Sequence, residues 1–513
     1  MRKIRNMLSY NTMYKTFLAV FILLTAAFTQ EKSIHQLALE GIDYAGMLQY
    51  KKAAAIFDRI IDREPDNPQG HFLKSAVYFW MFSADMHNEQ LGEEFKNLSL
   101  KAVEVAENRL ELNEDDIDAL FYLGGAYGSL GRYYALTQSY LNAYWYGKKG
   151  VNILEEVVEK DPAYWDAYLG LGIYHYLADV LPRFVKVLSF ILGIDGNREQ
   201  GIRELNLAVE KGTYTRTEAM FFLGAIYTYR ERKYEQAIGI WNRLLKTYPG
   251  NPGVLTHLAA CYGRMGKCEQ ALELYKETLA ALNDSILLPV SSIHYQMGQV
   301  QSNLNLYPEA IKSFKLSIAT DSVFSGNRRW TYGWAHFRLG RAYEMTGDLE
   351  KARYHYKLAM QEDNDRLRER ASDRLNEPMS EQDRRLTIAR NMSDCRDYEQ
   401  ALEIFEDELQ KIGSEPAARS ENSRADEIRY NIGETYYKLG RYHLAINQLN
   451  QLLQNTDLED KWFWHWAHFY RAASYGELGM SLKAAEDLEI AAEDDDMFLQ
   501  DQINQEKLKL DLN

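Results

Sequence analysis

The chain has 513 residues, of which 46% are hydrophobic and 26% are charged, and its formal net charge is -15 at pH 7. An acidic protein of this kind repels phosphate backbones and anionic lipid, so nucleic acid is not an expected ligand. The length would allow several globular domains, but a recurring pattern of glycine, aromatic residues and alanine indicates an array of similar units instead.

The N-terminal segment, residues 1–29, has the features of an export signal. Arginine and lysine residues precede an apolar run from Phe17 to Phe28, and small residues near its end allow cleavage before Gln30. The run is too short to span a bilayer comfortably, and no cysteine follows it for lipid attachment. We therefore expect an exported protein, periplasmic or envelope-associated, with a cleaved signal. A retained anchor that associates with the membrane through the N-terminus is the alternative.

The repeating pattern consists of a glycine, an aromatic residue three positions later and an alanine twelve positions after the glycine. Gly340, Tyr343 and Ala352 keep this spacing, and a second clear example begins at Gly433. A period of about 34 residues predicts a helical solenoid, in which each helix pair buries its apolar face against its neighbours. The small residues let the two helices of a pair approach closely, so a large side chain at Gly340 or Ala352 should force them apart.

These residues resemble the tetratricopeptide repeat, whose pattern combines Leu-Gly, tyrosine, glycine and alanine at fixed offsets. The segment from Gly333 matches this pattern in register, and further matching segments begin at Asp426 and Ile34. About eleven units cover most of residues 34–495. The resemblance implies an all-α fold, a helix-turn-helix superhelical solenoid of the tetratricopeptide type.

Departures from the regular repeat indicate domain boundaries. Residues 30–362 are expected to form a main array, with an apolar insertion at 177–196. Residues 363–423 are charged and contain proline, which predicts an irregular helical connection with a degraded repeat, or alternatively two long solvated helices. Residues 424–513 are expected to form a C-terminal pair of repeats with a polar cap.

Residues 181–201, which overlap the insertion, resemble a stretch found in tetratricopeptide proteins of the eukaryotic inclusion-body-clearance family and in uncharacterised bacterial exported relatives. The similarity includes Leu181, Pro182 and Arg198, whereas Asn197 stands where that pattern prefers aspartate. One interpretation is a short apolar helix that caps the groove, followed by a turn. A ligand or membrane contact is the alternative.

The resemblance also suggests where a partner binds, because the first helices of such repeats line a concave face. Aromatic residues at the fifth position of several repeats could hold an extended peptide or a glycan ring, or they could only pack along the groove wall. The candidate groove residues are Phe72, Phe121, Phe221, Tyr295, Phe337, Arg341, Tyr430 and Phe469. The family's chaperone-tail clamp requires a basic residue at the fifth position, so that activity is not expected.

Polar clusters and cysteines offer weaker candidates for chemistry. His465 and His468 could share a helix face, but two histidines make an incomplete metal site, and covering a repeat junction explains them better. Three cysteines neither demand nor exclude an oxidising compartment. Pairing of Cys261 with Cys268 is not expected, because helix packing already explains both; the third cysteine is Cys395.

The sequence contains no phosphate-binding glycine loop, no nucleophile elbow and no metal-spaced cysteine set. Since nearly every segment belongs to a repeat, we expect no enzyme, no catalytic or metal residues and no cofactor. The sequence predicts an exported scaffold or adaptor that binds a protein or peptide partner of unknown identity in its concave groove. A protein that binds a glycan or small ligand through the groove aromatics is one alternative, and an enzyme with an unrecognised site is another.

Overall fold

The computed structural model describes residues 32–86, 88–180, 196–282, 288–321, 330–413, 419–454, 458, 461–494 and 496–512. Within these residues the chain forms 24 α-helices and no strand, which confirms the all-α prediction. None of these helices combines the length and the apolar character that a membrane span requires. The predicted export signal and most of the apolar insertion lie outside the described residues.

The helices are α1 (Ile34–Gly46), α2 (Tyr50–Arg63), α3 (Pro68–Ala84), α4 (Glu89–Leu112), α5 (Ile117–Leu136), α6 (Tyr140–Lys160), α7 (Ala167–Asp179), α8 (Arg198–Lys211), α9 (Arg216–Tyr229), α10 (Tyr234–Thr247), α11 (Pro252–Arg264), α12 (Cys268–Ala280), α13 (Val290–Asn303), α14 (Tyr307–Asp321), α15 (Trp330–Met345), α16 (Leu349–Ala359), α17 (Asp365–Asn376), α18 (Glu381–Asp394), α19 (Tyr398–Gly413), α20 (Arg419–Lys438), α21 (Tyr442–Leu452), α22 (Phe463–Glu477), α23 (Ser481–Ala491) and α24 (Met497–Lys509).

Consecutive helices pack as pairs, for example α13 with α14 and α15 with α16. Two glycines make the α15–α16 pair possible. A Cβ atom at Gly340 would lie 2.7 Å from the ring of Tyr356, so only glycine allows this approach of the two helices. Gly347 has a φ of 84° in the turn between them, a conformation that glycine adopts without strain. Contact with the ring of Tyr356 is therefore the reason why the close approach predicted at position 340 requires glycine.

The described residues form two compact units. The first unit contains the described residues of Met1–Ile226 together with Asn242–Asn251. The second contains Tyr227–Trp241, Pro252–Leu282 and the described residues from Leu288 to the C-terminus. The domain boundaries predicted from the repeat pattern stay predictions.

In the first unit, the long helices α5 and α6 pack through glycines. A Cβ atom at Gly150 would lie 2.6 Å from the backbone nitrogen of Gly128 and 2.8 Å from the carbonyl oxygen of Gly124. A Cβ atom at Gly131 would lie 2.8 Å from the backbone nitrogen of Gly147. Backbone atoms of the two helices are therefore in direct contact, with no room for a side chain between them.

In the second unit, helix α18 packs against the turn between α13 and α14. The side-chain NH2 group of Asn391 shares its two hydrogens among three acceptors: the carbonyl oxygen of Ser302 at 2.9 Å, Oδ1 of Asn305 at 2.8 Å and the hydroxyl of Tyr307 at 2.9 Å. Helix α18 belongs to the segment in which the sequence pattern predicts an irregular connection. It is a regular helix with Leu386 and Ala389 buried.

A disulfide bond joins the end of α18 to the start of α12 in the second unit. Cys268, the first residue of α12, is bonded to Cys395, which directly follows α18. Cys261 is a free and buried thiol, so the Cys261–Cys268 pair is absent, as expected. The sequence analysis did not identify the Cys268–Cys395 pair, because residues separated by 127 positions share no local pattern.

Candidate functional site

A cavity of about 640 Å³ lies within the second unit, among helices α11, α13, α15 and α18. Four arginines line it: Arg264 from α11, Arg338 and Arg341 from α15, and Arg390 from α18. The remaining lining residues include several amide side chains and one carboxylate, Asp394. The cavity wall is therefore polar and carries an excess of positive charge.

Helical spacing explains why these side chains converge. Arg338 and Arg341 are three residues apart and lie on one face of α15. Gln296, Gln299 and Asn303 follow the same rule on α13. Helices α13 and α15 thus each present a polar stripe to the cavity, and their stacking brings the two stripes together.

The four arginines differ in how their charge is balanced. Arg390 forms an ion pair with Glu427 at 2.8 Å. The guanidinium of Arg264 lies 5.0 Å from the ring centroid of Tyr229, a cation–π contact. Within the part of the chain that the structure describes, Arg264, Arg338 and Arg341 form no ion pair with a carboxylate, and the buried Nε of Arg338 has no hydrogen-bond partner.

Arg341 is electrostatically the most perturbed of the four. Burial lowers the pKa of its guanidinium to about 10, and the nearby charges of Arg338 and Arg390 act in the same direction. Burial raises the pKa of Asp394, whose carboxylate lies 3.8 Å from Nζ of Lys438. Lys438 also pairs with Glu434 at 3.0 Å, and Asp394 interacts electrostatically with Arg390. One carboxylate cannot balance four arginines, so the excess of positive charge remains.

Most of the predicted groove aromatics are buried in the packing between helices. Phe121, Tyr295, Phe337, Tyr430 and Phe469 are each 2–5% exposed. The ring of Phe337 lies 5.7 Å from that of Tyr356, and the ring of Tyr295 lies 6.0 Å from that of Phe314. These contacts fit the packing alternative, and a binding role for the row stays a prediction.

Three predicted groove residues are more accessible. Phe72 and Phe221 are half-buried in the first unit, where Phe72 lies 6.1 Å from Phe121 and Phe221 lies 6.0 Å from Trp80, measured between ring centroids. Arg341 is the one residue of the predicted set that lines the cavity. The sequence analysis did not identify Arg264, Arg338 and Arg390 as site residues. The spacing of three residues between Arg338 and Arg341 places both on one helix face and could have indicated Arg338.

The histidines near the C-terminus have separate partners. His468 Nδ1 lies 2.7 Å from Oδ1 of Asp487, and His465 Nδ1 lies 3.4 Å from Oδ2 of Asp494. No group of three or more metal-ligating side chains occurs within the described ranges. His468 thus contacts α23, and His465 contacts the segment between α23 and α24.

Comparison with known proteins identifies the repeats. Family models of the tetratricopeptide repeat match residues 218–251, 333–366 and 426–455. No curated protein matches the sequence. The resemblance of residues 181–201 to inclusion-body-clearance proteins therefore stays a prediction.

Solved structures with some similarity include PilF of Pseudomonas aeruginosa, with 16% identity over 46% of this chain and 90% of that chain and a TM-score of 0.32. A tetratricopeptide repeat protein from Parabacteroides merdae has 13% identity over 56% and 98% of the two chains, with a TM-score of 0.23. The tetratricopeptide domain of P58(IPK) has 13% identity over 93% and 99%, with a TM-score of 0.21. The repeat matches and the all-helical fold make this chain a tetratricopeptide repeat protein, a family whose stacked repeats serve as protein-interaction scaffolds.

Proposed function

We propose that the protein is an exported scaffold that binds a protein partner in a concave groove formed by the first helices of its second unit. The observation that carries this proposal is the cavity among α11, α13, α15 and α18. Three of these helices are the first helices of consecutive pairs, the surface that repeat proteins use for binding. The amide and guanidinium groups in its wall offer hydrogen bonds to a partner. We propose no catalytic activity, because the repeats occupy most of the sequence.

Two observations support export. Residues 1–29 have the composition of a signal segment, and the second unit contains the Cys268–Cys395 disulfide. Disulfides persist mainly in oxidising compartments such as the periplasm or the extracellular space. Together they favour a protein that folds after crossing a membrane.

Export predicts a defined mature N-terminus. In protein isolated from the envelope fraction of the source organism, we expect peptide mass spectrometry to find a chain that begins at Gln30. An intact chain that still carries the apolar run would contradict cleavage and favour the retained anchor. A chain confined to the cytoplasm would contradict export altogether.

Filling the cavity should weaken partner binding strongly. Gln299 lies in the cavity wall on α13, and Gln299→Trp replaces a hydrogen-bonding amide with a large ring that occupies the space of the partner. We expect affinity capture from the envelope fraction, followed by quantitative mass spectrometry, to recover at least about tenfold less of the partner, equivalent to about 1.4 kcal/mol of binding free energy.

The matched control is Lys312→Trp, which adds the same ring at an exposed position of the neighbouring helix α14. Circular dichroism of both variants establishes that they are folded. A partner retained by Lys312→Trp and lost by Gln299→Trp supports binding in the groove. Equal recovery with both variants would place the partner elsewhere on the chain, and recovery of no enriched protein with the wild type would contradict the scaffold function.

A further inference from the structure

Three of the four arginines of the cavity are not neutralised, although the chain has carboxylates in excess. It contains 74 aspartate and glutamate residues against 59 lysine and arginine residues, so acidic partners are plentiful. Among the described residues, nevertheless, Arg264, Arg338 and Arg341 form no ion pair, and all three line one cavity. The positive charge at this site is therefore a local feature that opposes the charge of the whole chain.

Keeping Arg338 and Arg341 partly buried and close together costs free energy in the unliganded protein, whereas Arg264 is exposed at the edge of the cavity. A partly buried guanidinium loses hydration, and neighbouring guanidinium groups repel one another. Both effects act on Arg341, where burial together with Arg338 and Arg390 lowers the pKa. An anion bound between the arginines would reverse both effects, because it supplies opposite charge and hydrogen-bond acceptors at once.

Unused hydrogen-bonding groups surround the arginines. The Nε of Arg338 is buried without a partner. Across the part of the chain described here, the side chains of Gln299 and Asn303 also make no hydrogen bond, and both face the cavity from α13. By contrast, Asn391 and Gln296 are already engaged with protein atoms. The amide groups of Gln299 and Asn303 are therefore the donors that a ligand in the cavity can reach, whereas the Nε of Arg338 is shielded from it.

The chemistry of these groups specifies the ligand. A guanidinium binds carboxylate and phosphate oxygens through a planar pair of hydrogen bonds, and arginines on separate helices favour a ligand with more than one such group. The cavity volume of about 640 Å³ lies within the range of about 300–1,000 Å³ that is typical of small-molecule sites. Asp394 is the single carboxylate among the lining residues, so the four arginines leave an excess of positive charge in the cavity.

We propose that this cavity binds a small ligand with two or more oxyanion groups, either carboxylates or phosphates, through Arg264, Arg338 and Arg341. The ligand occupies the same cavity that we propose for the protein partner, but its binding does not depend on the scaffold function. Arg390 remains paired with Glu427 and borders the ligand from α18.

The proposal is tested on the purified full-length protein with two probes. Citrate supplies carboxylates and pyrophosphate supplies phosphates, while acetate and chloride at equal ionic strength are the controls. We expect saturable binding in isothermal titration calorimetry and a higher Tm with at least one probe, and the stronger probe identifies the oxyanion. Absence of saturable binding by both probes would overturn the proposal.

Two variants locate the binding. Arg341→Gln should weaken binding by about tenfold or more, since it removes charge-assisted hydrogen bonds. Its Tm without ligand should equal or exceed that of the wild type, because one unpaired cation is gone. Arg353→Gln removes the same charge at an exposed position of α16 and should bind like the wild type.

Arg338→Gln is the second variant and should behave like Arg341→Gln. If both cavity variants bind as tightly as Arg353→Gln, the anion lies elsewhere and the proposal is overturned. A large fall in the basal Tm of both variants would show that the arginines have a structural role and would also overturn it. Since no protein partner is present, these results are independent of the capture experiment.

Discussion

The Cys268→Ser/Cys395→Ser variant is expected to lose about 4 kcal/mol of its free energy of unfolding. This loss is close to the largest that the entropy of loop closure in the unfolded chain predicts for a disulfide across a long loop. The bond joins residues separated by 127 positions, so its removal frees a large part of the second unit in the unfolded state. In the folded state, the hydrogen bonds of Asn391 to the turn between α13 and α14 remain. The loss should therefore appear as lower stability of an otherwise native fold.

Urea unfolding followed by circular dichroism measures this loss, and hydrogen exchange locates it. We expect the amides of α18 to exchange faster in the variant than in the wild type. Wild-type protein treated with a reductant should match the double variant, and the double variant should not respond to reductant. Cys261→Ala removes the free thiol as a control and leaves the bond intact. Identical stability of the oxidised and reduced wild type would refute the expectation.

Gly150→Ala should destabilise the first unit by about 3 kcal/mol, although it adds a single methyl group. The new Cβ atom would lie 2.6 Å from the nitrogen of Gly128 and 2.8 Å from the carbonyl oxygen of Gly124. These are backbone atoms of α5, so no rotation of a side chain can relieve the contact. The two helices must move apart, which weakens the packing along the α5–α6 interface.

Gly128→Ala is the matched control for this substitution. A Cβ atom at Gly128 meets nothing within 4 Å, although the residue lies on the same helix as the atoms that Gly150 contacts. Alanine has the higher helix propensity, so this variant should be more stable by up to about 1 kcal/mol. Urea midpoints of the two variants should move in opposite directions, and a shared direction would contradict the close-contact explanation.

The helices and their pairing were readable in the sequence because they depend on residues close together in the chain. Gly340, Tyr356 and Gly347 recur at fixed offsets, and each has a steric role within one helix pair. The same repeat register predicted the positions of the groove aromatics, but it did not predict how exposed their side chains are to solvent. Phe121 and Phe337 occupy their predicted repeat positions and are nevertheless buried, since burial depends on how neighbouring pairs stack.

The cavity was only partly foreseen. Arg341 entered the candidate set through its place in the repeat, whereas Arg264 and Arg390 come from helices far from it in the sequence. Arg390 reaches the cavity because α18 packs against the turn between α13 and α14 through Asn391 and is bonded to α12 through the Cys268–Cys395 disulfide. No periodic pattern encodes such contacts, because each occurs once.

The sequence by itself determined that this chain is an array of helix pairs. The repeat period and the small residues where two helices cross are local properties, and they recur in each repeat. The tertiary structure alone decided which arginines meet, which of them lack a carboxylate and which cysteines pair. Those features depend on distances between residues that are far apart in the chain, and such distances are set by the stacking of whole repeats.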